Sequence, residues 1–309
     1  MPELPEAEVV ARQLRGSLLG ARMTDCWVGR SDIIREGGMT RRWYHGATLR
    51  RIERLGKSVA LGFEKDGAKR YLVAELGMTG LLLYRSVQTR HPQHVHVRLM
   101  FTGGREQELR YWNPRRFGRI SLLDEVGLAL YVARRFGYDP LTVSSEDFCR
   151  LIKRCRGRLK PLLMHQQSVA GIGNIYANEI LFRAGLHPHV QACRLPLPAI
   201  ELLYKVMQGV LLEAISCGGS SVRDFFAPDG TEGQYKQHHL VYLKAGQPCP
   251  NRCGQFIRRL SGERSSFYCP ACQRRGRTSD RRISPIRTQA VNPRNNSHLC
   301  QVLLRTPMR

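Results

Sequence analysis

No stretch of the chain approaches the roughly 18 consecutive apolar residues that a membrane-spanning helix requires. The opening Met1-Pro2-Glu3-Leu4-Pro5-Glu6 also lacks the basic-then-apolar layout of a secretory signal. We therefore expect a protein of the cytosol or nucleoid, with no membrane partner. Acidic residues are scarce: 25 Asp and Glu stand against 49 Lys and Arg, leaving a formal net charge of +24. Such a surplus favours a polyanionic partner, because each cation placed on a phosphate releases condensed counterions. A basic protein that meets only ribosomes or acidic proteins would have the same composition, so charge alone does not decide. A disulfide framework is missing as well. Of the ten cysteines, Cys26, Cys149, Cys155, Cys193, Cys217 and Cys300 are scattered, which suits a reducing compartment and reads as free thiols filling cores. There is no internal repeat.

What is present divides by period. Residues 5–19 read as an amphipathic helix: Pro5 suits a first turn, Glu6 and Glu8 complement the dipole, and Val9, Val10, Leu14 and Leu18 form one apolar stripe. From 21 to 124 the pattern changes to short apolar segments broken by Gly, Asp and Asn, at 47–54, 58–63, 70–76, 80–85, 94–101 and 118–123. The alternation Val95, Val97, Leu99, Phe101 predicts an inward face, with His94, His96 and Arg98 turned outward, and argues for an antiparallel sandwich or barrel. After Gly137-Tyr138-Asp139-Pro140 the period becomes helical. Ser144 before Asp147 resembles a capping box, and Leu197 to Ser216 reads as a long helix closed by Gly218-Gly219. A boundary near 135–142 follows. We expect an α+β protein with an N-terminal helix and β-sandwich domain at 1–136, a helical domain at 142–244, a cysteine unit at 245–273, and a basic arm without structure at 274–309, where nine Arg accompany one Asp.

Cys249-x3-Cys253, fifteen intervening residues and Cys269-x2-Cys272 place four soft thiolates as two turn-borne pairs, the arrangement that holds tetrahedral structural zinc. Four thiolates leave no open position, so one architectural Zn²⁺ per chain is expected. Phe256-Ile257-Arg258 and Phe267-Tyr268 look like hairpin strands around a turn with Gly262, Glu263 and Arg264. So small a hairpin has little core, and the metal must fix it. Arg264 at the tip either reaches a phosphate or a base pocket, or is a solvated surface charge.

Met1-Pro2-Glu3-Leu4-Pro5-Glu6, Lys57, Leu76-Gly77-Met78-Thr79-Gly80, Asn113-Pro114-Arg115-Arg116-Phe117-Gly118, Gly171-Ile172-Gly173-Asn174-Ile175-Tyr176-Ala177 and the cysteine hairpin occur in that order. Together they resemble the formamidopyrimidine-DNA glycosylase family, from residue 1 to about 273. The chemistry is sound in itself. A proline second in the chain becomes first once Met1 is removed, and its secondary amine can attack a sugar C1′ and form an iminium. An α-amine also titrates closer to neutrality than a lysine does. Glu3 is then the natural proton shuttle. Glu6 reads first as a helix N-terminal residue.

The resemblance implies a bifunctional glycosylase and AP lyase that excises oxidised purines from duplex DNA, acting as a monomer. It makes Lys57 a second active-site lysine. It assigns Met78, Arg115 and Phe117 to filling the gap left by the flipped base. Asn174 and Lys160, in a helix-two-turn-helix over 160–184, and Arg264 would hold phosphates. The stretch from Gly218 to Tyr235 would cover the extruded base, with Ser220, Ser221 and backbone amides available to read it. Some positions depart from the family pattern. Glu75 stands where a phosphate-contacting histidine is common, and would repel phosphate unless paired with Arg or Lys. The first cysteine pair is x3, not x2. His165 replaces an acidic residue, Leu243-Lys244 replaces Gly-Arg, and the C-terminal arm is long. Two rival readings stay open: the sister endonuclease VIII-like branch acting on oxidised pyrimidines, and a catalytically silent damaged-DNA-binding homologue.

Overall fold

The structure is a computed structural model describing residues 2–89, 91–221 and 225–274. Cys300 and all of the basic arm beyond Arg274 lie outside the described residues.

Helix α1 (Leu4–Leu18) opens with Pro5 in its first turn and a capping box between Glu3 and Glu6. It is buried on two sides, not one. Val10, Leu14 and Leu18 enter the core of the sheet, whereas Leu4 and Val9 enter the core of the helical half. The expected single stripe is thus two stripes, and α1 is wedged between two hydrophobic cores. The Leu4 N–H donates to Gly171 O at 2.9 Å, fastening the start of the helix to the helical half.

The described strands are β1 (Arg22–Val28), β2 (Ile34–Glu36), β3 (Thr48–Leu55), β4 (Ser58–Lys65), β5 (Ala68–Glu75), β6 (Leu81–Tyr84), β7 (Val95–Thr102), β8 (Glu108–Trp112) and β9 (Ile120–Asp124). They hydrogen-bond in the order β2-β9-β5-β4-β3-β1-β7-β8-β6, antiparallel except for the short β2–β9 pair. β1 meets β3 through a single register pair, Arg22 with Thr48, while it runs along β7 from Arg22 to Val28. At that seam the sheet folds over. Phe63 of β4 and Phe101 of β7, with β3 and β1 between them in the hydrogen-bonded order, stack at 6.5 Å, so the halves form the two layers of a sandwich.

Three differences from the sequence expectations have local causes. β1 and β2 carry polar or exposed residues at most positions, so their apolar period is weak, and β8 alternates Glu108 and Arg110 with the buried Leu109 and Tyr111 over only five residues. His96 was expected to face outward; it is buried, with Nε2 3.0 Å from Asn113 O, where the β7–β8 register shifts between Val95 and Val97, while Val95, Val97, Leu99 and Phe101 keep the inward face. Cys26, Cys149, Cys155, Cys193 and Cys217 are half-buried free thiols; Cys26 packs at the margin of the sheet core and Cys149, Cys155 and Cys217 at the margin of the helical core.

Helix α2 (Glu125–Arg135), capped by Asp124, packs Tyr131 on Ala60, Val73 and Leu123 of the sheet. The helical half comprises α3 (Ser145–Arg154), α4 (Leu159–Met164), α5 (Asn174–Arg183) and α6 (Leu197–Ser216). Ser144 caps α3 by accepting the Asp147 N–H at 3.0 Å, and α6 ends in Gly218 and Gly219, both with positive φ. The hairpin of β10 (Arg258–Leu260) and β11 (Ser266–Tyr268) has its own small core of Phe182, Val241, Ile257, Phe267, Cys249 and Cys269. No described helix is long and apolar enough to cross a membrane.

One packing feature makes stability depend on pH. Burial, with Lys244, Lys236, Arg183 and His238 adding to it, pushes the His239 imidazole from 6.5 down to about 4. The unfolded chain protonates this residue below 6.5, whereas the folded chain resists until about 4. Its contribution, about 3 kcal/mol, is therefore complete above 6.5 and lost as pH falls through 4. Glu6 and Glu179, whose carboxyls burial raises, act in the opposite sense, so the effect is read by difference. Urea unfolding between pH 7 and 5 should show wild type losing stability faster than His239→Leu; parallel pH profiles would contradict the assignment.

Candidate active site

The site is built on the start of α5. The first N–H groups of a helix have no partner within it, and here they are aimed at a carboxylate. Glu3, only 1% exposed, accepts the N–H groups of Gly173 at 2.9 Å, Ile175 at 3.0 Å and Tyr176 at 3.3 Å. Pro2, also buried, lies immediately before it. Lys57, in the turn between β3 and β4, reaches the same spot. A Cβ at residue 173 would stand 2.3 Å from Glu3 Oε1 and 2.8 Å from Lys57 Nζ, so only glycine leaves room for both. Burial lowers the Lys57 pKa and Arg264 adds to this, while Glu3 and Glu6 oppose it.

Gly173→Ala is therefore expected to be mild for the fold and severe for the site. The clashing atoms are ends of side chains that can swing away, but those ends are the chemistry. We expect a loss of about a hundredfold or more in single-turnover cleavage of damaged DNA, with the melting temperature and circular dichroism close to wild type. Retained activity would show that the Glu3–Lys57 approach is dispensable.

Glu6 is a second buried carboxylate. It accepts the Glu3 N–H at 2.7 Å, the Ser220 N–H at 2.7 Å and the Tyr176 hydroxyl at 2.5 Å. Burial raises its pKa, and the Tyr176 bond works against that.

Glu3, Met78, Arg115, Asn174 and Arg264 line one cavity of about 620 Å³. Met78 and Phe117 are 39% and 56% exposed, and the Arg115 guanidinium lies 5.0 Å from the Phe117 ring centroid. Exposed turns present these side chains because glycines let the backbones touch: a Cβ on Gly77 would stand 2.5 Å from Gly118 N. Pro2, Lys57 and Phe117 are not among the cavity's lining residues. Lys160 is buried; its ammonium donates to Ser265 O at 2.8 Å and Ser266 Oγ at 2.9 Å, and burial lowers its pKa to about 8. It therefore sits under the hairpin that carries Arg264. Ser220 and Ser221 are already engaged: the Ser220 N–H bonds Glu6, and the Ser221 hydroxyl donates to Phe225 O at 2.6 Å.

The departures noted in the sequence have structural answers. The Glu75 carboxylate, through Oε1, meets Arg35 at 3.0 Å, Arg135 at 3.0 Å and the Tyr131 hydroxyl at 2.9 Å, so its charge is paired. Its carbonyl accepts the Tyr111 hydroxyl at 2.6 Å, and Asn113 Nδ2 donates to that hydroxyl at 3.0 Å, tying the Met78 turn to the Arg115–Phe117 turn. Within Cys249-x3-Cys253, the extra residue is accommodated by Arg252 in the left-handed region, φ 54°. His165 pairs with Ser168 Oγ at 3.0 Å.

Sequence reasoning missed Asn178 and Glu179. Asn178 Oδ1 accepts the Phe267 N–H at 2.7 Å, and Glu179 accepts the N–H groups of Leu240, Val241 and Tyr242. Both fix α5 to the chain that leads into the hairpin. Polar residues in mid-helix carry no local sign of such partners.

The sulfur atoms of Cys249, Cys253, Cys269 and Cys272 lie within 4.8 Å of one another. Cys249–Cys272 and Cys253–Cys269 are 3.7 and 3.4 Å apart. A tetrahedral centre with bonds of about 2.3 Å has sulfur–sulfur edges of roughly 3.8 Å, so this group fits one metal ion.

The pattern of the formamidopyrimidine-DNA glycosylase N-terminal domain matches residues 1–120, and that of the same family's H2TH domain matches residues 136–226. The formamidopyrimidine-DNA glycosylase of Solibacter usitatus is 38% identical over 279 residues, covering 89% of this chain and all of the relative. That of Methylobacillus flagellatus is 37% identical, over 88% of this chain and 96% of the relative. The crystal structure of the MutM (Fpg) protein from Thermus thermophilus matches with a TM-score of 0.76 and 33% identity, covering 88% of this chain and 98% of that one. A complex of a Lactococcus lactis FPG mutant with Fapy-dG containing DNA matches at 0.78 and 28% identity, covering 89% and 100%. With the carboxylate at the start of α5, the Met78 and Arg115–Phe117 turns and the four-cysteine hairpin in these places, and with likeness over nearly nine-tenths of its length, the chain belongs to the formamidopyrimidine-DNA glycosylase family.

Proposed function

We propose that the protein is a bifunctional DNA glycosylase and AP lyase of base excision repair, acting on duplex DNA that carries 8-oxoguanine or formamidopyrimidines. The observation that carries this reading is the Glu3 carboxylate, held by three backbone N–H groups directly beside Pro2.

In this reading, removal of Met1 frees the Pro2 amine. Its lone pair forms a bond to C1′ as the glycosidic bond breaks and the base leaves with that electron pair. The Glu3 carboxylate takes the proton from the attacking amine and passes it to the ring oxygen, so that the sugar opens, the ring oxygen leaves C1′ with its electron pair and the nitrogen lone pair completes an iminium. The iminium then acts as electron sink: a base takes the C2′ proton and the 3′ phosphate departs in β-elimination, with the 5′ phosphate following in δ-elimination. Lys57 sits beside Glu3 as a second amine. Met78, Arg115 and Phe117 occupy the gap left by the flipped nucleotide. Asn174, Lys160 and Arg264 hold the backbone, Lys160 by supporting the hairpin. Cys249, Cys253, Cys269 and Cys272 hold one Zn²⁺, which supplies architecture and takes no part in the steps above. The catalytic sandwich at 1–136, the DNA-binding helices at 142–244 and the zinc unit at 245–273 work as one monomer in the cytosol or on the nucleoid.

The test is borohydride trapping on a duplex with one 8-oxoguanine opposite cytosine, beside a thymine glycol duplex and an abasic duplex. An adduct mapped by mass spectrometry to Pro2, faster on 8-oxoguanine, is the expected result. Preference for thymine glycol would move the protein to the endonuclease VIII-like branch. Damaged-DNA binding with no adduct on any duplex, from protein shown to lack Met1 and hold zinc, would overturn the enzymatic reading.

A further inference from the structure

Behind the stretch that follows α6 lies a histidine that no sequence motif singled out. His239 is 4% exposed, and its Nε2 lies 2.9 Å from Ser220 Oγ. The backbone N–H of the same serine donates to Glu6 Oε1 at 2.7 Å. The other carboxylate oxygen, Oε2, accepts the Glu3 N–H at 2.7 Å, and that N–H belongs to the peptide joining Pro2 to Glu3. Buried contacts thus run without a break from an imidazole to the peptide that carries the proposed nucleophile.

Each member of the chain is fixed from outside. Glu179 accepts the three N–H groups that follow His239, the Lys244 ammonium binds the His239 carbonyl, and the rings of Tyr235 and Tyr242 stand edge-on to the imidazole at 5.8 and 5.7 Å. The imidazole is therefore a rigid post. Ser220 lies near the start of a stretch closed at its base: Gln234 N–H donates to Cys217 O at 2.8 Å, Tyr235 N–H to Gly219 O at 3.0 Å, and Gly233 N–H to Ser221 Oγ at 2.9 Å. Gly219, with φ 82°, lets this base approach Glu6; a Cβ there would stand 2.9 Å from Glu6 Oε1. A leucine at 239 would fill comparable space but could not engage the serine hydroxyl.

We propose that His239 is a positioning residue: by holding Ser220 it sets the closed base formed by 217–221 and 233–235 and, through Glu6, the Pro2–Glu3 peptide in place together. This inference rests on the glycosylase reading, because it assigns the relay to the alignment of Pro2 with the sugar. A placement error in a reacting group lowers the chemical rate without altering affinity. Glutamine can present a polar nitrogen where Nε2 stands, and leucine cannot.

The experiment compares wild type, His239→Leu, His239→Gln, Ser220→Ala and the double variant His239→Leu/Ser220→Ala. It reads single-turnover adduct formation at saturating 8-oxoguanine duplex, affinity for an uncleavable duplex, and hydrogen exchange of the peptides spanning 2–7 and 225–235. We expect His239→Leu and Ser220→Ala each to slow adduct formation by about ten- to a hundredfold with affinity unchanged, and His239→Gln to stay within about threefold of wild type. The double variant should be no slower than the worse single one, as for two parts of one unit. The 2–7 and 225–235 peptides should exchange faster together in His239→Leu and recover in His239→Gln. Unchanged rates in His239→Leu, equal slowing in leucine and glutamine variants, or additive losses would overturn the relay. Wild type that forms no adduct would end the glycosylase reading instead, and exchange would then decide the relay: unaltered protection of 2–7 in His239→Leu refutes it.

Discussion

Replacing Glu3 with glutamine is expected to lower the single-turnover rate of base excision by about 10²- to 10⁴-fold, the range a positioned acid–base group supplies. The local geometry gives a second reason for a large effect. The carboxylate accepts one N–H on Oε1 and two on Oε2. A carboxamide has one accepting oxygen, and its NH₂ group would face a donor wherever it pointed. The variant therefore loses its proton-transfer capacity and leaves a buried donor of α5 unpaired, which costs about 1–3 kcal/mol. Denaturing gels under single turnover measure the first loss, and thermal melting measures the second. Glu3→Gln that excises 8-oxoguanine within tenfold of wild type would remove Glu3 from the mechanism.

Stripping the proposed zinc should be comparably damaging, by another route. Of apolar side chains, the cysteine unit itself buries only Cys249, Ile257, Phe267 and Cys269, packed with Phe182 of α5 and Val241. Structural zinc contributes on the order of 10 kcal/mol or more of apparent binding energy in units of this kind, far beyond what so small a core supplies. A strong chelator, or Cys269→Ser at the buried end of the cluster, is expected to melt the hairpin while the sandwich stays folded. Lys160 then loses Ser265 and Ser266, Asn178 loses the Phe267 N–H, and Arg264 leaves the cavity wall. Losing one or two charge-assisted contacts at about 1.5–3 kcal/mol each predicts roughly a hundredfold weaker binding to an abasic duplex. Stoichiometric metal analysis and fluorescence anisotropy follow the two losses together. Full affinity in metal-free protein would make the hairpin dispensable for DNA binding.

How far the sequence spoke depended on how local the cause was. The cysteine pairs, the Pro2-Glu3 opening and the glycines around Asn174 are short-range patterns, and each marks chemistry or a close approach that the structure places at the site. The apolar strands were legible; β1 was not, since a strand that is polar on much of its length has no period to detect, and β8 alternates Leu109 and Tyr111 with Glu108 and Arg110 over too few residues to stand out. His96 was misplaced because a long-range partner, the Asn113 carbonyl, receives its ring in the interior, while the inward alternation of Val95, Val97, Leu99 and Phe101 holds. The partners of Glu75 are 40 and 60 residues away, at Arg35 and Arg135, and those of Glu179 lie beyond α6. Such pairings are products of topology, and no spacing along the chain announces them.

The position of α1 between two cores makes the reactive end of the chain common property of both halves. Its first residues lean on one hydrophobic interior and its last turns on another, while the amides that receive Glu3 belong to residues about 170 positions later. A fragment ending at residue 136 would retain the proline and glutamate in sequence, yet it would expose Leu4 and Val9 and leave the carboxylate without its seat. In the glycosylase reading, a half-made or clipped chain therefore has no seat for its carboxylate until α5 has been made and the two interiors have closed on the same helix.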